Sequence, residues 1–159
     1  MKPESHSWLI ITSDDNAVVA DALNSMIVLP EDITAQVFSI KKNRAYDNID
    51  NNQLARVEYT YVSTSFKDTK ALEAEKFNKK YKKNNYTSPS QYSIKGFDVT
   101  YDVLMRLASG KKLSDTFKEG ASLRLEAKFN YDASSTNAIE NKGLFIVKYN
   151  KDLSLMRLK

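Results

Sequence analysis

Four places along the chain bring together side chains capable of chemistry. Ser13-Asp14-Asp15 stands directly after the apolar run Trp8-Leu9-Ile10-Ile11-Thr12 and before a stretch with helical spacing. A strand end that meets a helix N-terminus is a common ligand position in α/β proteins, because free N–H groups and the helix dipole attract carboxylates and other anions. The plainer role of the same residues is to cap the helix, and two acids already placed there weigh against a phosphate. Ser63-Thr64-Ser65 follows an alternating segment and offers hydroxyls to a polar ligand, or else forms a turn held by side-chain-to-backbone bonds. Asp98 and Asp102, spaced i, i+4, could perform acid–base work, but Phe97 and Tyr101 mark the buried face and leave the two acids at the surface. Lys79-Lys80-Tyr81-Lys82-Lys83 could meet an anionic surface or nucleic acid. As a helix end it simply complements the macrodipole, and its single aromatic falls on the apolar face, so no stacking platform exists and no nucleic-acid partner is expected.

Composition removes most other chemistry. The 159 residues include no Cys, which excludes a disulfide scaffold, a thiolate zinc site and a cysteine nucleophile, and a single His, His6, near the N-terminus, so neither a His-rich metal site nor a Ser-His-Asp triad is expected. Nothing matches a glycine-rich phosphate loop, and with 4 Gly and 3 Pro the chain is neither collagen-like nor of low complexity. No catalytic residue, metal site or cofactor is expected. The net charge of +4 equals the local excess of segment 67–83, which holds seven Lys against Asp68, Glu73 and Glu75. The longest apolar runs, Trp8–Ile11 and Met26–Leu29, fall far short of the roughly 20 residues of a membrane span, so no transmembrane segment is expected. The opening MKPESHSWLIITSDD lacks the pattern of a signal peptide.

The elements that must position these residues follow from periodicity. Trp8–Thr12 has the continuous apolar character of a strand covered on both faces. Val18, Val19, Ala22, Leu23, Met26 and Ile27 recur at helical spacing up to Pro30, and Ile33–Ile40 is a second buried strand. Strand, capped helix and strand make a βαβ unit with a parallel pair. Residues 41–53 are a polar loop or short irregular helix, and Val57, Tyr59 and Tyr61 alternate as a half-buried strand. A helix capped by Asp68 or Thr69 runs to about Lys83 with Ala71, Ala74, Phe77 and Tyr81 inward. A second, from Gln91 to Ser109, turns Ile94, Phe97, Tyr101, Leu104 and Ala108 inward and stops at Gly110. A shorter helix covers Ser114–Lys118, the ten residues from Ser122 to Tyr131 alternate as a strand, and Leu144–Tyr149 with Leu153–Leu158 forms an antiparallel hairpin. The result is an α/β fold, parallel in its N-terminal portion and antiparallel in its C-terminal portion, with residues 1–7 as a tail and 8–159 as one domain.

The stretch SQYSIKGFDVTYDVLMRLASG resembles a helix of type I periplasmic binding proteins, the branched-chain amino-acid receptor group, in which a tyrosine is followed by G-[FY]-D. FNKKYKKNN-YTSP is similar to the segment just upstream in that family, and WLIITSDDN, ITAQVFSIKK and VEYTYVSTSF follow in the family's order, with NKGLFIVKYNKDLSLMRLK similar to its closing hairpin. The likeness is nearer to the envelope proteins of Bacteroidetes-type bacteria that join such a domain to peptidoglycan-binding LysM repeats. It covers the C-terminal half of a receptor. It implies a three-layer Rossmann-like lobe, a parallel sheet with C-terminal antiparallel strands, in which residues 8–63 and 122–158 form much of one lobe. Residues 66–118 would return to the other lobe, exposing an apolar helical face or burying it against another copy. It further implies a non-catalytic ligand-binding or scaffolding domain resembling the solute-binding component of amino-acid transporters, in the periplasm or cell envelope. Ser13, Asp14, Ser63, Thr64 and Ser65 would contact a small polar ligand or cell-wall component. The alternative is an interaction module that regulates cell-wall enzymes and has lost the small ligand.

Overall fold

A computed structural model describes residues 6–30, 33–68, 71–109, 112–132 and 139–158. Along the chain run β1 (His6–Ile11), α1 (Asn16–Ile27), β2 (Thr34–Ser39), α2 (Asn51–Arg56), β3 (Thr60–Ser63), α3 (Leu72–Asn85) and α4 (Gln91–Leu107). Short strands follow: β4 (Ser122–Leu123), β5 (Lys128–Phe129), β6 (Tyr131–Asp132), β7 (Glu140–Asn141), β8 (Phe145–Tyr149) and β9 (Leu155–Leu158). Two 3-10 turns lie at Arg44–Tyr46 and Leu113–Glu119. The chain forms two compact units, Met1–Ser63 with Phe145–Lys159, and Thr64–Leu144. The resemblance assigned 122–144 to the same lobe as β1; these residues belong to the second unit.

The first unit is a mixed five-stranded sheet in the order β1-β2-β3-β8-β9. β1, β2 and β3 are parallel, and β8 and β9 add antiparallel, so the βαβ unit and the closing hairpin stand where periodicity put them. Asp15 starts α1 by accepting the Ala17 and Val18 N–H groups at 2.9 and 3.0 Å, and the i, i+4 pair Val19 and Leu23 is fully buried. The polar 41–53 segment holds a 3-10 turn and leads into α2, which Asp50 caps at Asn52 N–H (2.7 Å). Leu54 and Ala55 of that helix enter the core.

The strand expected from Val57 starts only at Thr60. Val57 is the C-cap of α2, and Glu58 takes a left-handed φ of 46°, which lets Tyr59 N–H return to Leu54 O at 2.9 Å. Ile11, Val19, Leu23, Val37, Tyr46, Leu54, Tyr59 and Tyr149 form one core on the helical side of the sheet.

The other face has no helix of this unit on it among the described residues. By alternation and register it carries Trp8, Ile10, Phe38, Val62, Ile146 and Met156, and Trp8 meets the ring of Phe38 at 5.4 Å. Trp8 is 67% and Ile10 64% exposed. The expectation of a first strand covered on both faces therefore fails, and this unit supplies two layers rather than three. The apolar run was continuous because both faces are apolar, not because both are covered.

The second unit is built on α3 and α4. α3 begins after Ala71 with no side-chain cap; Asp68 is not the cap, and Thr69 lies outside the described residues. Phe77 of α3 packs on Phe97 of α4 at 4.6 Å, and Ser90 caps α4 by accepting Ser93 N–H at 3.1 Å. The buried side of α4 differs from the expected one. Ile94, Asp98, Asp102 and Arg106, each four residues apart, are buried, whereas Phe97, Tyr101 and Leu104 are 38%, 42% and 58% exposed. The expected stop at Gly110 lies outside the described residues.

The ten-residue strand Ser122–Tyr131 is also broken. β4 and β5 pair as a hairpin, and Arg124–Ala127 leaves the ladder because Asp98 takes three of its backbone N–H groups.

Candidate functional site

A crevice of about 260 Å³ opens in the first unit at the carboxyl ends of β1 and β2, lined by Thr12, Ser13 and Asp14 from one strand end and Ser39, Lys41 and Asn43 from the next, with Tyr46 below. Parallel strands deliver it, since each strand releases its loop at the same edge. Asp14 Oδ2 pairs with Lys41 Nζ at 3.2 Å, and Asp14 Oδ1 accepts from Asn43 Nδ2. Asn43 Oδ1 in turn caps the 3-10 turn at Ala45 N–H (2.9 Å). Asp14 and Lys41 are both about two-thirds exposed, so their pair is screened and open to exchange with a ligand.

The helix end is already spoken for. Ser13 Oγ accepts from Asp15 N–H at 3.1 Å and Asp15 accepts from two N–H groups of the first turn, which is the capping role foreseen for this triplet. The crevice thus offers one carboxylate and one ammonium group on a neutral floor. Such a pair accommodates a small polar molecule bearing a donor and an acceptor.

Beneath it lies a tyrosine stack. Tyr46 meets Tyr59 at 4.8 Å, and Tyr59 meets Tyr61 at 5.5 Å and Tyr149 at 6.1 Å. Ser39 Oγ donates to Lys41 O (2.9 Å) and lies 2.5 Å from Tyr59 Oη, so its one proton is committed and Tyr59 donates in that contact. Burial pushes the Tyr59 hydroxyl far above the usual tyrosine range, which keeps it neutral at every physiological pH. Lys42 Nζ donates to Tyr149 Oη at 2.6 Å and lies over its ring. The Tyr46 hydroxyl is buried with no hydrogen-bond partner of its own.

Of the five residues expected to contact a ligand, Ser13 and Asp14 share this crevice. Ser63 ends β3 on the same edge and is not part of the lining. Thr64 and Ser65 belong to the second unit, where Ser65 bridges to Ala127. Ser39, Lys41 and Asn43 were missed. Ser39 ends β2 and Lys41 and Asn43 follow it, a place equivalent to that of Ser13-Asp14 after β1.

Asp98 and Asp102 form no open site. Asp98 accepts the N–H groups of Leu125, Glu126 and Ala127, each at 2.9 Å. Asp102 accepts from Arg106 Nε at 2.9 Å, from Arg124 at 2.7 Å, and from Ser122 Oγ. Burial alone would raise the Asp102 pKa, but Ser122 and the two guanidinium groups more than offset it and hold the carboxyl below its usual value. Every carboxylate oxygen of the pair accepts at least one hydrogen bond and both side chains are fully buried, which suits a scaffold.

Among the described residues no cluster of three or more His, Cys, Asp and Glu is placed to hold a metal ion. No described helix is long and apolar enough to cross a membrane. No family model, curated protein or solved structure matches the chain.

Proposed function

We propose that this chain is a non-catalytic ligand-binding domain whose site is the crevice at the carboxyl ends of β1 and β2. The observation that carries the reading is the Asp14–Lys41–Asn43 constellation across two adjacent parallel strand ends, with an exposed ion pair over a neutral, ordered floor. The ligand is a small polar molecule with a cationic or donor end toward Asp14 and an acceptor end toward Lys41. The resemblance to type I periplasmic binding proteins joined to LysM repeats supports a role in the cell envelope and makes cell-wall fragments the first molecules to try.

Isothermal titration with amino acids, small peptides and muropeptides tests the reading. One class is expected to give saturable heat, with affinity falling about tenfold or more in Asp14→Ala, the loss of one charge-assisted bond being worth about 1.5–3 kcal/mol. Binding that survives Asp14→Ala and Lys41→Ala unchanged would place the site elsewhere.

A further inference from the structure

We infer that the open face of the first unit's sheet is an interface between two copies of this chain. The inference stands on the sheet and does not depend on the crevice binding a ligand. Trp8, Ile10, Phe38, Val62, Ile146 and Met156 make this face apolar across all five strands. Polar groups described on it bond within the unit. Gln36 Nε2 donates to Thr60 Oγ1 (3.0 Å), Thr60 Oγ1 donates to Glu58 O (3.0 Å), and Lys148 Nζ pairs with Glu58 at 2.7 Å. These bonds lower the cost of drying the face, which polar groups buried without partners would raise.

The charges bear on the partner too. Among the described residues of the face the Lys148 charge is paired with Glu58, so they present no unpaired charge to repel a second copy. Twisted sheets stack face to face about 10 Å apart, and a two-fold axis sets the patch against itself. Five strands at about 4.8 Å and four to six residues at about 3.3 Å give a footprint of roughly 400 Å². Two copies then bury on the order of 1,000 Å² of accessible surface, the lower bound for a specific interface, so the dimer is weak and concentration-dependent. The exposed apolar stripe of α4 is the rival surface. At about 25 Å by 10 Å it offers roughly 250 Å², too little for a stable pair of copies.

Sedimentation velocity of the full chain from about 1 µM to 1 mM tests this, with Trp8, the single tryptophan, as an internal reporter. The expected result is a monomer–dimer transition accompanied by a blue shift of tryptophan emission. Ile10→Glu and Ile146→Lys should each weaken the dimer at least tenfold while keeping the far-ultraviolet dichroism of the parent, and Leu104→Glu on α4 should leave it unchanged. A chain that stays monomeric to 1 mM with constant emission would overturn the inference. So would dissociation by Leu104→Glu alone. If the two sheet variants fail to fold, the parent's emission shift tracking its mass decides the matter, because Trp8 lies on the proposed face and not on α4.

Discussion

Asp98 and Tyr46 show how differently two buried polar groups act. Asp98 uses both carboxylate oxygens on three backbone N–H groups of Leu125–Ala127 and so fixes a turn inside a sequence that alternates like a strand. Asp98→Ala would leave those donors without a partner, and unfolding of the second unit should become easier by roughly 3 kcal/mol or more, measured by urea denaturation. Tyr46 is the opposite case, a hydroxyl buried with nothing to bond. Tyr46→Phe removes an unmet cost while keeping the ring stack on Tyr59, and it should stabilise the first unit by about 1 kcal/mol. A destabilisation of that size would mean the hydroxyl has a partner in solution. At the crevice, Ser13 and Asp14 were legible because a cap after an apolar run is a local signal. Lys41 and Asn43 were not, since only the parallel pairing of β1 and β2 brings them to Asp14.

At the scale of elements, α4 carries the clearest lesson. Its apolar stripe Phe97-Tyr101-Leu104 suggested the buried side, yet the polar stripe Asp98-Asp102-Arg106 is the one covered. Apolar periodicity reports burial only when the partner is also apolar. Here the partner is a hairpin that offers backbone N–H groups and Arg124, and backbone donors 27 to 29 residues away leave no mark in a sequence. The i, i+4 succession of two acids and an arginine was the one available clue. The network also predicts an acid response. Asp102 is held below its ordinary value of 3.8, so its contribution is complete above that pH, shrinks as the pH falls, and is gone below the depressed folded value. Glu126 acts in the opposite sense: burial, then the charge of Asp98, raise its pKa against the pull of Lys67, so protonation near its ordinary 4.5 favours the fold. Thermal melting of the second unit should rise slightly on acidification to about pH 4.5, hold to about pH 3.8 and fall only below that. Asp102→Asn should flatten the lower limb, having cost about 3–5 kcal/mol at neutral pH by leaving two arginines uncompensated.

Across the whole molecule, the parallel start and antiparallel finish of the sheet were legible because strand runs, caps and the closing hairpin are written in local pattern. The openness of one sheet face was not, since Trp8-Leu9-Ile10-Ile11 reads the same whether its second face meets a helix, another copy or water. The polar crevice and the apolar sheet face lie in one unit and can be separated by substitution. The most direct test of the binding reading is a two-dimensional amide NMR titration of the full chain with amino acids, peptides and muropeptides. The account predicts that one class moves the resonances of Thr12–Asp14 and Ser39–Asn43 together and saturably, with the second unit unmoved. Saturable shifts confined to other residues, or none with any class in a folded sample, would contradict it.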